Sequence, residues 1–399
     1  MVYLKLLCVT GNIGSLVDGP LSLRKGWIEE VSRQIGDWKA DFVAVHLQKV
    51  SGKSSHKHNT GWAIEDFVQD LRYADDMRDF ECCLAFCDED VNNMRNYTGL
   101  ASIYFLRRPD TAEVWDFQGN RFQSVPAYEY FGDDLRHVGK INKENFPNIN
   151  FRKAATEGKG FMRTRFRIQD RVFNFVNVHL FSDSDNTGSV QRYPSEFAEQ
   201  RNEALQFIVQ RLEPEIDTEP TILAGHFNFR LDLHGLMDEL SRVKDAVQNE
   251  VHDEKTGELQ CVDFRNLHGM VACVKPKLFD LRMDHNWLFS TCDGQLVRKH
   301  NRELQAFKNL LNEPSITFPP TFPCIWNNDV KCDGAAYLKK TCPAWPARVL
   351  VNNEGWHFMK QDSFSSSSLF YNSIGQGLSM GEHKPVYLRT MLNFADKED

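Results

Sequence analysis

No stretch of the 399-residue chain is apolar for long enough to span a bilayer, which excludes a transmembrane helix on sequence grounds. No basic segment precedes the apolar start Met1 to Thr10, and Lys5 interrupts it, so this stretch reads as a strand and not as a secretory leader. The ten cysteines show no regular spacing. Cys82, Cys83 and Cys87 lie close together without the paired two-residue intervals of a zinc site, so free thiols in a reducing, cytoplasmic setting are expected. The chain ends Phe394-Ala-Asp-Lys-Glu-Asp399 with no cysteine, so no C-terminal prenylation box is expected. An excess of basic charge is also missing. The 47 Lys and Arg stand against 55 Asp and Glu, a formal charge of -8. That balance argues against a nonspecific nucleic-acid binder and leaves room for a local basic pocket.

What is present is the pattern of a layered α/β protein. Hydrophobic residues make up 41% and charged residues 26%, ordinary globular values, and 29 Phe point to a thick aromatic core. Tyr3 to Thr10 alternates like a strand, Trp27 to Trp38 has helical spacing, and Asp41 to Leu47 is a short buried-strand run. Glu65 to Met77 and Pro194 to Leu212 read as helices, and Leu100 to Leu106 as a strand. Gly160 to Ile168 and Val172 to Leu180 form a hairpin around Gln169-Asp170-Arg171. One domain over 1–395 with a short tail at 396–399 is expected. It carries irregular insertions near 107–159, with two edge strands, and near 245–311. Helices are expected over Leu233 to Asn249 and within Cys261 to Leu311, and Ser363 to Ser368 reads as a serine-rich turn.

The stretch Pro220-Thr-Ile-Leu-Ala-Gly-His-Phe-Asn-Phe-Arg230 carries the densest chemistry. A short apolar run delivers Gly225, His226, Asn228 and Arg230 to a strand end. Alone, a Gly-x-Phe-Asn match is a weak signal. Four more strand ends share the polar signature: Asn12, Gln48-Lys49, Asn177-x-His179, and Glu382-His383 before Lys384-Pro-Val. Their joint order is far more specific than any one of them.

With Gly158-Lys-Gly-Phe-Met-Arg-Thr-Arg, Phe318-Pro-Pro and Cys342-Pro-Ala-Trp added, nearly the whole sequence resembles the type I inositol polyphosphate 5-phosphatases. These sit within a metal-dependent phosphoesterase superfamily that includes DNase I-like nucleases. The resemblance implies a four-layer α/β sandwich of two packed mixed sheets flanked by helices, with the site at one mouth. It implies catalytic roles for His179, His226, Asn228 and His383. It further implies substrate contacts from Lys159, Arg163, Arg165, Asn177, Arg348 and Lys384, and metal contacts from Asn12 and Glu382. Mg²⁺ is the implied cofactor and inositol 1,4,5-trisphosphate the implied ligand.

The departures from that family fall on acids. The expected Gln-Glu reads Gln48-Lys49, Gly-Asp-Phe-Asn reads Gly225-His226-Phe-Asn, and Trp-Cys-Asp-Arg reads Trp345-Pro-Ala-Arg348. Ser-Asp-His reads Gly381-Glu-His383, where charge is kept. A hard cation takes oxygen ligands, so an ammonium at position 49 removes the principal anionic ligand and repels the ion, and weak Mg²⁺ binding is expected. Two readings remain open: an inositol polyphosphate binder with lost or much reduced hydrolysis, and a working Mg²⁺-dependent 5-phosphatase that ends calcium-releasing signalling. An interaction protein using the sandwich surface is a third. Transition-metal binding by His179, His226, His383 and Glu382 is a fourth, which nitrogen ligands would suit.

Overall fold

The computed structural model describes residues 3–52, 64–91, 93, 95–147, 151, 156–326, 336–360 and 369–394. The serine-rich turn at 363–368 and the tail at 396–399 lie outside them. Two large mixed sheets pack face to face. In the first, Leu369–Ser373, Val386–Asn393, Tyr3–Asn12, Phe42–Gln48, Leu100–Leu106, Cys82–Cys87 and Tyr128–Phe131 lie side by side in that order. The second runs Leu311–Asn312, Ala347–Asn352, Thr221–His226, Arg171–His179, Gly160–Ile168, Glu113–Asp116 and Arg121–Ser124, with Asn142–Asn145 also paired to Gly160–Ile168.

Strands covered on both faces are apolar along most of their length, and Phe42–Gln48 and Thr221–His226 are buried at every position. Between the sheets the expected aromatic core is present. Phe42 stacks on Phe175 at 5.1 Å between ring centroids, and Tyr104 meets Phe166 at 4.7 Å. On the outer face of the first sheet lie Leu21–Trp38 and Ile64–Arg72, with Trp27 against Phe67. Glu196–Arg211 covers the other sheet with Ala204, Leu205 and Ile208. The Ser195 hydroxyl accepts from Ala198 N at the start of that helix, Glu196 and Glu199 occupy its first turn, and Arg211 its last, all favourable to the helix dipole. Helix, sheet, sheet and helix give the four layers that the family resemblance implied.

Two expectations need correction. The segment 107–159 is more regular than expected, with four short strands that extend both sheets; Tyr128–Phe131 runs parallel to Cys82–Cys87. The helix from Leu233 ends at Val243, short of Asn249, and Val247–His252 is already a strand. With Leu259–Asn266, Gly269–Lys275 and Leu278–Asp280 it forms a third, antiparallel sheet where helices were expected. The physical reason is a period of two: Val262, Phe264, Ala272 and Val274 enter the central core while Cys261, Asp263 and Cys273 alternate with them on the other face. Turns at Gly257 and Gly269, both with positive φ, punctuate the run. Helix in that region is limited to His285–Ser290 and short 3₁₀ turns.

Register brings the polar strand ends together. Asn12 is the parallel partner of Gln48, His179 is the parallel partner of His226, and Ala347 lies opposite His226 on the next strand. Gly225 is required here by space, because a Cβ on it would stand 2.1 Å from the Val178 carbonyl oxygen.

Candidate functional site

The strand ends enclose a cleft of about 200 Å³ lined by Asn12, Lys49, Lys159, His226, Asn228, Arg230, Lys340, Glu382, His383 and Phe322, among others. Its floor is a hydrogen-bond network joining the two sheets. Gln48 Nε2 donates to Asn177 Oδ1 at 2.9 Å and to Thr10 Oγ1 at 3.0 Å, while Asn177 Nδ2 donates to the carbonyls of Leu47 and Ala101. Asn177 is thus fully engaged beneath the cleft and does not line it.

Above that floor stand three imidazoles. The His226 ring lies 4.6 Å from that of His383 and 5.6 Å from that of His179. His383 stacks on Phe322 with 4.2 Å between centroids and an 11° interplanar angle. Lys159 Nζ sits 2.6 Å from His179 Nε2. Asn228 takes a left-handed backbone, φ 55°, and its Nδ2 donates to the Leu180 carbonyl at 2.8 Å. Lys49 is also left-handed, with its stem against Gly14, whose N–H donates to Asn12 Oδ1 at 3.2 Å.

Charge in the cleft is lopsided. Among the described residues, Lys49, Lys159, Arg230 and Lys340 line it against the single carboxylate Glu382, which Lys340 Nζ binds. Burial, then the neighbouring Lys49 and Arg230, holds the Lys159 ammonium well below its ordinary pKa. Burial is also the largest cause holding His179, His226 and His383 well below the usual histidine value, with Lys49 among the further causes for each. Buried donors lack acceptors among the described residues: Asn12 Nδ2, and Nε and Nη1 of Arg230. A buried donor without a partner costs about 1–3 kcal/mol, so these groups favour an anionic or carbonyl-bearing occupant.

This donor set does not fit a hard divalent cation. Such an ion takes several oxygen ligands, whereas Lys49 and Lys159 present ammoniums and Glu382 is already engaged by Lys340. Nor do the three histidines and Glu382 make a compact nitrogen site. Among the described residues, only Cys261, Asp263 and Cys273 bring three such ligand atoms within 4.8 Å of one another, and they lie on the third sheet.

Of the residues singled out from sequence, Asn12, Lys49, Lys159, His179, His226, Asn228, Glu382 and His383 converge. Four expected substrate contacts lie elsewhere. Arg163 and Arg165 do share a strand face, but it turns toward acids. Arg163 Nε donates to Asn174 Oδ1 at 2.9 Å with Glu215 3.7 Å away, and Arg165 is bound by Glu219. Arg348 is 1% exposed; its Nη1 donates to Glu313 Oε2 at 2.8 Å, and its other nitrogens go to the Trp345 carbonyl and Asn301. Lys384 Nζ donates to the Gly375 carbonyl at 2.9 Å. Sequence reasoning missed Lys340 and the role of Phe322, whose ring also lies under Arg230, 4.7 Å from the guanidinium carbon. The rigid Phe318-Pro-Pro-Thr-Phe-Pro323 loop was the available signal for Phe322. Nothing local marked Lys340.

No family model matches the chain. Over 388 residues it is 30% identical to human inositol polyphosphate-5-phosphatase A, covering 96% of this chain and 92% of that protein. It is 26% identical over 420 residues to a probable type I inositol 1,4,5-trisphosphate 5-phosphatase of Caenorhabditis elegans, covering 96% and 98%. Among solved structures, the inositol polyphosphate 5-phosphatase domain of a synaptojanin, in complex with inositol (1,4)-bisphosphate and calcium ion, aligns with a TM-score of 0.51. The identity is 14%, over 98% of this chain and 84% of that one. A point mutant of Cimex nitrophorin in its ferrous NO complex aligns with a TM-score of 0.50 at 14% identity, over 99% of this chain and 100% of that one. Two such different proteins at near-equal likeness share the fold alone.

Proposed function

The chain belongs to the inositol polyphosphate 5-phosphatase family, and from that premise we propose that its cleft binds an inositol polyphosphate, inositol 1,4,5-trisphosphate in particular, with hydrolysis absent or much reduced. The observation that carries this reading is the cleft's charge. Among the described residues, Lys49, Lys159 and Arg230 and the unpartnered donors of Asn12 and Arg230 face a space whose one carboxylate, Glu382, is already neutralised by Lys340. Phosphate groups supply negative charge to such a cleft and acceptors to the donors of Asn12 and Arg230. The same features disfavour the divalent ion implied by the family resemblance, because Lys49 occupies the position where a ligand carboxylate is expected.

In this reading Lys49, Lys159 and Arg230 hold phosphate oxygens, Asn12 and Asn228 orient them, and His179 and His383 contribute neutral ring nitrogens. His226 replaces the acid expected to act on water. Ala347, beside His226 in the sheet, offers no carboxylate to orient an imidazole, and His383 Nδ1 has no hydrogen-bond partner among the described residues.

A working phosphatase would have to use His226, which stands where the family's acid is expected, and the burial that keeps its ring neutral also makes it a weak base. Phosphate release from inositol 1,4,5-trisphosphate with Mg²⁺ on the full chain separates the two. Release far below about 1 s⁻¹ is expected. Turnover at or above that rate, abolished by His226→Ala, would make His226 a working base.

A further inference from the structure

Outside the cleft, one cluster among the described residues has the geometry of a metal centre. Cys261, Asp263 and Cys273 lie on two antiparallel strands of the third sheet, with Asp263 directly opposite Cys273 and Cys261 two residues along on the same face. That face points away from the core that takes Val262, Phe264, Ala272 and Val274. We propose that Cys261, Asp263 and Cys273 bind a zinc-type divalent cation, with the fourth position of a tetrahedral site left open.

The spacing supports this ligand set. Two thiolates at about 2.3 Å from a tetrahedral zinc stand about 3.8 Å apart, and a thiolate and a carboxylate oxygen about 3.5 Å apart. Cys261 Sγ and Cys273 Sγ are 3.7 Å apart, and Cys261 Sγ is 3.3 Å from Asp263 Oδ1. A disulfide would need the sulfurs at about 2.0 Å. Both cysteines are mostly buried, at 8% and 5% exposure, while the Asp263 side chain is 18% exposed and leaves a route in. Arg265 Nη2 lies 3.4 Å from Asp263 Oδ2, which steadies the carboxylate without occupying Oδ1. Across the next strand pair the register puts Asn249 opposite Asp263, on the open side. Binding converts two thiols to thiolates and releases their two protons to water, with no change of oxidation state.

The site would pin the hairpin that supports one wall of the cleft. The strand Gly269–Lys275 leads into Pro276, and the Asn186 side chain donates both to the Pro276 carbonyl and to that of Lys340, whose ammonium binds Glu382.

The test uses the full chain loaded with Zn²⁺ alone and desalted, alongside a Co²⁺-loaded sample read by absorption. One retained equivalent of zinc and a thiolate-to-cobalt charge-transfer band are expected. Both should be lost in Cys261→Ser and Cys273→Ser and kept in Cys292→Ser, at an exposed cysteine. Asp263→Asn should weaken zinc retention and keep the band, which preserves the test if a cysteine variant misfolds. Failure to retain zinc, retention without a thiolate band, or retention undiminished in both cysteine variants overturns the proposal.

Discussion

Lys159 Nζ and His179 Nε2 stand 2.6 Å apart with both residues buried, and both have their pKa values pressed well below the ordinary range. A hydrogen bond between these nitrogens needs one donor and one acceptor, so an ammonium and an imidazolium cannot both stand there, and the pair has a proton deficit relative to the two groups fully protonated in water. The deficit is created by burial and by the surrounding cations, and an anion entering the cleft removes part of it.

The first expectation concerns protons. At His179, His226, His383 and Lys159 the unfolded chain binds more protons than the folded one, so stability rises with pH. For the histidines this gain accrues from their depressed folded values up to the ordinary value of about 6.5. The ligand-free protein should therefore melt at lower temperature as pH falls below that value. Binding of an inositol phosphate should take up protons at neutral pH, measurable by calorimetry in buffers of different ionisation enthalpy. Proton release on binding would contradict the account.

Arg348 and Lys49 should behave oppositely. Arg348→Ala leaves Glu313 buried without its cation, at a cost of about 3–5 kcal/mol of stability. Ligand affinity per folded molecule should change little. Lys49→Ala should weaken ligand binding in protein that remains folded, since its ammonium lines the cleft. Thermal melts beside titrations read both, and a large affinity loss with intact stability in Arg348→Ala would restore that residue to the binding surface.

Asn177 should matter for folding more than for ligand contact. Its side chain joins Gln48 to the carbonyls of Leu47 and Ala101, bridging the two sheets. Asn177→Ala should cost about 1–3 kcal/mol for each buried partner left unmet, read as a shift of the denaturation midpoint.

The contrast between Asn177 and Arg348 shows what the sequence could convey. Strand ends were legible because buried strands are apolar and the polar residue that ends each one stands out, as at Asn12, Gln48-Lys49, His179 and His226. A layered α/β protein followed from alternating strand and helix periods, and its four-layer form from the family resemblance. The direction of Arg163, Arg165 and Arg348 was not legible, since each answers to an acid distant in sequence: Glu215, Glu219 and Glu313. Lys340 reaches Glu382 across 42 residues of chain, and no local pattern announces such a meeting. The third sheet was misread because its apolar positions were weighed without their period of two.

Supplying the missing acids tests why catalysis should be lost. Lys49→Glu alone should raise divalent-metal affinity and yield little turnover. The combination with His226→Asp and Ala347→Asp should be needed for phosphate release, the three acting as a unit and not additively. Appreciable turnover from Lys49→Glu by itself would show that His226 already serves.

The most direct measurement is calorimetric titration of inositol 1,4,5-trisphosphate into the full chain in the presence of a chelator, at low and high salt. The account predicts binding without any divalent metal, weakened by salt because the attraction is largely between the phosphates and Lys49, Lys159, Arg230 and Lys340. Binding that appears only when Mg²⁺ is added, or no binding under either condition, would contradict it.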